Sequence, residues 1–501
     1  MSTEEKTENN YKETLKATSL FGGVQVFDIL IRIIRSKFIA ILIGPSGMGI
    51  AGLLNSTIEL ISSFTSFGLR SSAVRNIAEA NATNDIKRVS LVISVLRKLV
   101  WYTGLLGTFV CLFGASYWSQ LTFGNKEYTY AFLILSFSVL FIQLTHGQNV
   151  LLQGLQKYQY LAKATLIGHS IGLVITVPLY YFWGIDAIVP VLLLANVVTY
   201  FIAYYYARKI HIEKASVKWD DIKGVGGNML KIGILISMQG LLSTLSAYLL
   251  RIFINSQGGI ENVGLFNAGF TIINTYIGMV LNAMGTDYYP RLSKVASDKA
   301  VFERTINQQA EIALLLLAPI VIAFVVFIRL VIIILYSSKF SPIEGMLYWA
   351  ISVTLFKSLA WTLSYSMLAK ADSKAFFWSE FSVIVYGFGL NILGYLLFGL
   401  TGLGISFLLI YILYFFQLMI LTRYRYHLFF NSEVWRIFLK LNLYLVLVFV
   451  VRLFLPEWIA YIIGTVLLIA VIFFSYKELD KRIAIGKTIK SVIFKSKKDD
   501  L

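Results

Sequence analysis

The chain has 501 residues, 57% hydrophobic and only 14% charged, with a mean hydropathy of +0.72; this excludes an ordinary soluble globular protein. One cysteine, Cys111, and seven prolines exclude a disulfide framework and a cysteine-rich metal site. The net charge of +17 would suit nucleic acid only on a folded basic face, and no soluble segment is large enough to form one.

In chain order, the first sixteen residues, MSTEEKTENNYKETLK, are polar and lack the basic start and short apolar core of a cleaved signal peptide. Hydrophobic runs of spanning length follow at 17–43, 49–72, 93–116, 128–152, 161–183, 187–207, 229–255, 262–288, 309–335, 343–369, 375–398, 402–422, 435–455 and 457–475. Each is near the ~20 residues a helix needs to cross ~30 Å of hydrocarbon. The expectation is an all-α polytopic membrane protein with about fourteen transmembrane helices. Basic residues gather in alternate connections, among them Arg70, Arg75, Lys87 and Arg88, then Lys157 and Lys163, then Arg208, Lys209, Lys214 and Lys218. The opposite connections hold little beyond Lys126 and Lys339. The positive-inside rule then places both termini in the cytoplasm, as an even helix count requires.

The stretch Asp28–Gly49 stands out, because Asp28, Arg32 and Arg35 lie inside an apolar run. At 100° per residue the three fall within about 60° of one another. Ionised groups at that depth cost on the order of 2.5–3.5 kcal/mol each on insertion scales, so they face a protein interior or a wet cavity. An Asp28–Arg32 pair would account for one arginine and leave Arg35 over.

An internal repeat organises the rest. At an offset of 215 residues, Leu15-Lys16 falls on Leu230-Lys231, Met48-Gly49-Ile50 on Val263-Gly264-Leu265, Trp183-Gly184-Ile185 on Phe398-Gly399-Leu400, and Arg208 on Arg423. This predicts an N-lobe at 11–210, a cytoplasmic linker at 211–225 and a C-lobe at 226–425. An extra helix pair at 426–476 and a basic tail at 477–501 follow. Six helices per lobe make the repeats parallel, related by a pseudo-two-fold axis along the membrane normal, with a cleft between them.

Lys357 joins Arg32 and Arg35 as a deep cation, all near the midplane on the helix bounds above. Lys37, Arg251, Arg329 and Arg452 lie closer to outer helix ends, where head groups reaching the interface explain them as well. Glu59 is the deep acid of the second helix, a counter-ion or a proton site. Gln143, Thr145, His146, Gln148 and Asn149 form a polar cluster that either lines the cleft or bonds between helices; His169 reads as a packing residue. Four scattered histidines show no metal-ligand spacing, and there is no P-loop glycine motif.

The turn GPSGMG at 44–49, FGNKEY at 123–128, PRLSK at 290–294 and the run at 337–372 resemble the Wzx-type flippases. These are the polysaccharide-transport members of the multidrug/oligosaccharidyl-lipid/polysaccharide (MOP) exporter superfamily, and the similarity is closest to the O-antigen and enterobacterial common antigen translocases. It runs from about 15 to 425, and the pair at 435–475 departs from relatives that stop at twelve helices. The resemblance implies a non-enzymatic flippase in the bacterial inner membrane. Its substrate would be a glycan on undecaprenyl diphosphate, moved to the periplasmic leaflet by alternating access for lipopolysaccharide O-antigen or another surface polysaccharide. It implies membrane lipid as a partner, a polysaccharide polymerase and chain-length regulator as neighbours, no nucleic acid and no cofactor, with coupling to H+ or Na+ open. Arg32, Arg35, Arg251 and Lys357 would hold the diphosphate, with Asp28 and Glu59 as counter-charges or a proton site and Gln143, His146 and Asn149 as polar lining. The alternatives are an ion-coupled exporter of small cationic molecules, which a cationic cleft disfavours, and a membrane glycan polymerase or ligase, which would need larger periplasmic loops.

Overall fold

The computed structural model describes residues 3–83, 85–212 and 215–483, with side chains described from Phe27 onward except those of Asp28, Tyr276, Ile277, Thr286 and Ile483. The Asp28 side chain and residues 484–501 of the expected basic tail therefore lie outside the described residues. Among those described, the structure is all helical. The helices are α1 (Thr3–Thr65), α2 (Leu69–Ala82), α3 (Ile86–Phe113), α4 (Ala115–Phe123), α5 (Thr129–Gly154), α6 (Tyr158–Trp183), α7 (Ile188–Arg208), α8 (Trp219–Asp221) and α9 (Gly227–Thr271). They continue with α10 (Gly278–Lys294), α11 (Lys299–Val326), α12 (Ile328–Leu335), α13 (Glu344–Ser352), α14 (Thr354–Ala369), α15 (Ser373–Tyr426), α16 (Ser432–Phe454) and α17 (Glu457–Ile483).

Nine helices among the described residues are long and apolar enough to cross a membrane, or ten with the bent pair Ser338–Ser352 and Thr354–Ala369 taken as one span. Four of the nine are too long for one crossing. The span Ile29–Thr65, at 37 residues, would reach about 55 Å if straight. It breaks at Gly44, whose φ of 63° and ψ of −171° a residue with a Cβ adopts only under strain. Gly259 breaks α9 in nearly the same conformation, φ 80° and ψ 174°. Gly184 between α6 and α7 (φ 54°, ψ −128°) and Gly399 within α15 (φ 58°, ψ −136°) form a second matching pair. Each pair is separated by 215 residues, so the sequence offset reappears in backbone geometry.

By packing, the chain falls into two compact units, Met1–Leu265 with Leu335–Lys339, and Phe266–Ile334 with Phe340–Leu501. In the first, α3 packs on α5, α5 on α7, α6 on α7 and α1 on α6. One end of its core is an apolar cluster around Ile77, Ile93, Leu96 and Leu152 that also takes in Met229 from the start of α9. A buried hydroxyl chain holds α9 farther along: Thr57 Oγ1 lies 3.1 Å from Thr122 Oγ1, which lies 2.7 Å from the Tyr248 hydroxyl. Asn255 Nδ2 also donates to the Thr122 carbonyl at 3.1 Å. With no water in the bilayer to serve these groups, the chain satisfies them internally and ties three helices together. The two glycine turns meet in the same unit. A Cβ on Gly49 would collide with the Ile260 carbonyl oxygen, and one on Gly264 with that of Pro45. Gly49 maps to Gly264 and Pro45 to Ile260 at the 215-residue offset, so the contact is reciprocal.

In the second unit α11 is the most enclosed span, packed by α14, α16 and α17. The helix pair α16–α17 is fastened to α11 at one end and to α12 and α13 at the other. At one end Arg482 bonds Glu311 and, at 2.6 Å, Glu478, while Arg436 reaches Glu433 at 2.6 Å. At the other, Arg329 pairs with Glu457 at 2.8 Å, and Arg452 bonds Glu344 at 3.4 Å and the Tyr348 hydroxyl at 2.5 Å. Arg329 and Arg452, which the sequence left between the interface and a protein partner, are both ion-paired.

Candidate functional site

The first half of α1 presents two exposed faces of opposite character. Leu30, Ile34, Phe38 and Ile41 form an exposed apolar stripe suited to lipid. Arg32, also exposed, lies roughly 160° around the helix from the centre of that stripe, and Arg35 about 100° from it. Arg35 is half-buried, with Tyr180 of α6 and Arg32 as its electrostatic neighbours. Its Nε is buried without a hydrogen-bond partner, and among the described residues no carboxylate pairs with it. Helix α1 packs on α6, which is why Tyr180 meets the arginine. The structure thus brings Arg32 and Arg35 together on a face turned away from the lipid stripe.

The second half of α1 carries Asn55 and Glu59, both exposed, and half-buried Ser63, spaced four residues apart on one face. A polar stripe along a membrane helix needs water or protein against it rather than lipid. Arg251 of α9 has Glu59 as an electrostatic neighbour and donates from Nη1 to the carbonyl of Ala247 at 2.9 Å. Glu59 thus acts electrostatically on Arg251, while the electrostatic neighbours of Arg35 are Tyr180 and Arg32.

Lys357 stands on α14 in the other unit, half-buried. Its Nζ lies 4.9 Å from the ring centroid of Tyr411 and 5.6 Å from that of Phe407, both on α15, and 3.5 Å from Asn274 Oδ1. Among the described residues no carboxylate pairs with this lysine. Its charge is held by ring faces and an amide.

The polar cluster of α5 divides. Gln143 is buried and its Nε2 donates to the Ser62 carbonyl of α1 at 2.7 Å, so its amide is spent between helices rather than lining an open cavity. Thr145 bonds its own helix at the Phe141 carbonyl. His146 is half-buried in a small recess beside Ser66 and Arg70, and Asn149 is half-buried. Sequence reading missed a second polar group, on α15. Glu380 accepts from the Tyr414 hydroxyl, the Tyr386 hydroxyl is buried with no partner, and Gln417 Nε2 donates to Ser382 Oγ at 2.9 Å. The signal was present, since Glu380 is a carboxylate inside the predicted span 375–398. Among the described residues no His, Cys, Asp and Glu group has the arrangement of a metal site.

The sequence pattern of a polysaccharide biosynthesis protein family matches residues 38–344. Two relatives named lipid III flippase, from Escherichia coli strain K12 and Shigella flexneri, are each 20% identical over 353 residues, which is 69% of this chain and 83% of theirs. Among solved structures, the lipid II flippase MurJ in an inward closed conformation aligns with a TM-score of 0.69 at 17% identity, covering 93% of this chain and 99% of that one. An inward-facing MATE-family multidrug resistance transporter of the MOP superfamily aligns with a TM-score of 0.66 at 16% identity, covering 80% and 97%. The fold is that of the MOP superfamily, and the families matched are transporters, not enzymes.

Proposed function

The chain belongs to the polysaccharide biosynthesis protein family, and from that premise we propose that it is a flippase for a glycan carried on undecaprenyl diphosphate. It moves this substrate from the cytoplasmic to the periplasmic leaflet of the bacterial inner membrane by alternating access, for O-antigen or another surface polysaccharide. The observation that carries the reading is Arg35, a cation inside a membrane span whose Nε is buried and unbonded and which has no carboxylate partner among the described residues. Leaving a charge there costs on the order of 2.5–3.5 kcal/mol on insertion scales. A diphosphate would supply the missing acceptor, at about 4 kcal/mol per contact at 4 Å and an effective dielectric near 20, before desolvation. Arg32 beside it, Arg251 and Lys357 are the other groups we assign to that anion. The name of the two bacterial relatives supports the substrate class.

Fourteen crossings with both termini in the cytoplasm belong to the same reading. Four of the nine candidate spans among the described residues break at Gly44, Gly184, Gly259 and Gly399, which supports reading each as a pair of crossings, with the bent pair as the fourteenth. The two lobes, 11–210 and 226–425, are supported by the matched glycine conformations at the 215-residue offset.

The test is reconstitution with a polyprenyl-diphosphate oligosaccharide loaded on one leaflet and its appearance on the other read by a membrane-impermeant glycosidase. Arg35→Gln should stop translocation, Arg35→Lys should retain part of it, and Lys126→Ala should be silent. Wild-type translocation by Arg35→Gln, or export of a cationic dye in place of the glycan, would overturn the reading.

A further inference from the structure

The first unit holds a second cationic place, away from α1. Helices α3, α5 and α7 pack side by side, and a cavity of about 400 Å³ opens where they approach the segment 210–212. Its polar wall is Arg97 of α3, Gln148 of α5, Arg208 at the last turn of α7, and His211 beyond it. Its apolar wall includes Trp101 and Tyr204, both exposed. Among the described residues neither arginine makes an ion pair or hydrogen bond. Their neighbours are engaged: Lys98 donates to the Val217 carbonyl at 3.1 Å, and the Lys209 ammonium lies 4.5 Å from the Tyr205 ring centroid. The two guanidinium groups are thus set apart from the basic residues around them.

Position and chemistry narrow the occupant. Lys98 touches the linker, so this level of α3 sits where the chain leaves the bilayer. Exposed tryptophan and tyrosine belong at that level, where one side of a ring meets acyl chains and the other meets head groups. Guanidinium groups present forked donors that match phosphate oxygens, and basic pockets between membrane helices take phosphate-bearing head groups. A cavity of this volume is in the range of ligand sites. We propose that the Arg97–Arg208 cavity binds the phosphate of a membrane lipid head group, with the first acyl or prenyl carbons laid against Trp101 and Tyr204. No residue of the Arg32–Arg35 face lines this site.

The full chain, reconstituted in phosphatidylcholine nanodiscs, is titrated with phosphatidylglycerol brominated on its acyl chains. Quenching of Trp101 is taken as the difference from Trp101→Phe. Brominated phosphatidylglycerol should quench Trp101 at a far lower mole fraction than brominated phosphatidylcholine. That preference should fall about thirtyfold in Arg97→Gln/Arg208→Gln, at about three-quarters of a logarithmic step per arginine, and persist in Arg97→Lys/Arg208→Lys, which guards against a folding defect. Undecaprenyl diphosphate separates the two lipid sources. If it displaces phosphatidylglycerol at a lower mole fraction, the head group bound is that of a diphosphate lipid; if it does not, it is that of an ordinary anionic phospholipid. Either result upholds the site. Equal quenching by the two brominated lipids, a preference that survives in the glutamine variant, or release by millimolar inorganic phosphate would overturn it, the last by making the ligand a free phosphate.

Discussion

Lys357→Met separates a cation that works as a charge from one that merely packs. Methionine has similar length and is apolar, so it fills the space between Tyr411 and Phe407 without the ammonium. Folding loses two ring contacts, at 4.9 and 5.6 Å, together about 0.5–2 kcal/mol. The bond to Asn274, at 3.5 Å, is at the limit of hydrogen-bond geometry and adds little. Against this, removing a charge from mid-span relieves about 2.5–3.5 kcal/mol on insertion scales. The variant should therefore be as stable as the parent or up to about 3 kcal/mol more stable. Transport should move the other way. One lost cation–phosphate contact is worth about 4 kcal/mol before desolvation; if desolvation removes half, the loss is still about thirtyfold. The assay pairs thermal unfolding in detergent with glycan translocation in vesicles. Lys357→Arg keeps the charge and should retain substantial activity. A Lys357→Met protein that is stable and translocates at the parental rate would refute the reasoning and confine the lysine to its aromatic neighbours.

Gly49→Ala and Gly264→Ala should each destabilise by about 1–3 kcal/mol through overpacking and to a similar degree, because each Cβ meets the opposite turn's carbonyl; Gly172→Ala, with open space around it, is the control in the same thermal assay. Arg452→Met, which strips Glu344 and Tyr348 of their partner, should cost about 1–3 kcal/mol, whereas Arg35→Met should not lower the unfolding temperature. Asp372 caps α15 at Ala375 N–H and bonds Tyr426 and Arg425; burial would raise its pKa, but those bonds outweigh it and hold the carboxylate below its ordinary value. Its stabilisation is full above the unfolded pKa near 4 and is lost as pH falls through the lower folded value, so Asp372→Ala should cost about 1 kcal/mol at neutral pH and the gap should close in acid. Cysteines at Lys126 and Lys339 should label with an impermeant thiol reagent from outside and one at Lys218 should not; the reverse would overturn the topology.

The helical breaks were legible because each rests on a local property: Gly44, Gly184, Gly259 and Gly399 take positive φ angles at the ends of apolar runs. That Arg32 and Arg35 share one face was likewise legible, since helical periodicity alone fixes which side chains do so. What sequence did not give was partnership across long separations. Gln143 and Ser62 are distant in the chain, as are Arg452 and Glu344, and nothing local distinguishes a glutamine that lines a cavity from one that bonds a neighbouring helix. The Glu380–Tyr414 contact and the fastening of α16–α17 by Arg482 were hidden for the same reason.

The ion pairs that sequence could not supply sharpen the meaning of the cations that lack them. This chain pairs arginines near the ends of its spans where it needs structure: Glu344 and Glu457 serve Arg452, and Glu311 and Glu478 serve Arg482. Acids are placed against basic groups on α16 and α17, so the chain has the means to pair a cation on a membrane helix. Among the described residues it has none beside Arg35 or Lys357, although each sits in a span where an unmatched charge is costly. A structural arginine gains from a permanent carboxylate. One that must accept and then release an anionic substrate would be blocked by it, because the carboxylate would compete for the same donors in every step of the cycle. Under the proposed function, the cations with acid partners hold the helices together, and Arg35 and Lys357 bind an anion in passing.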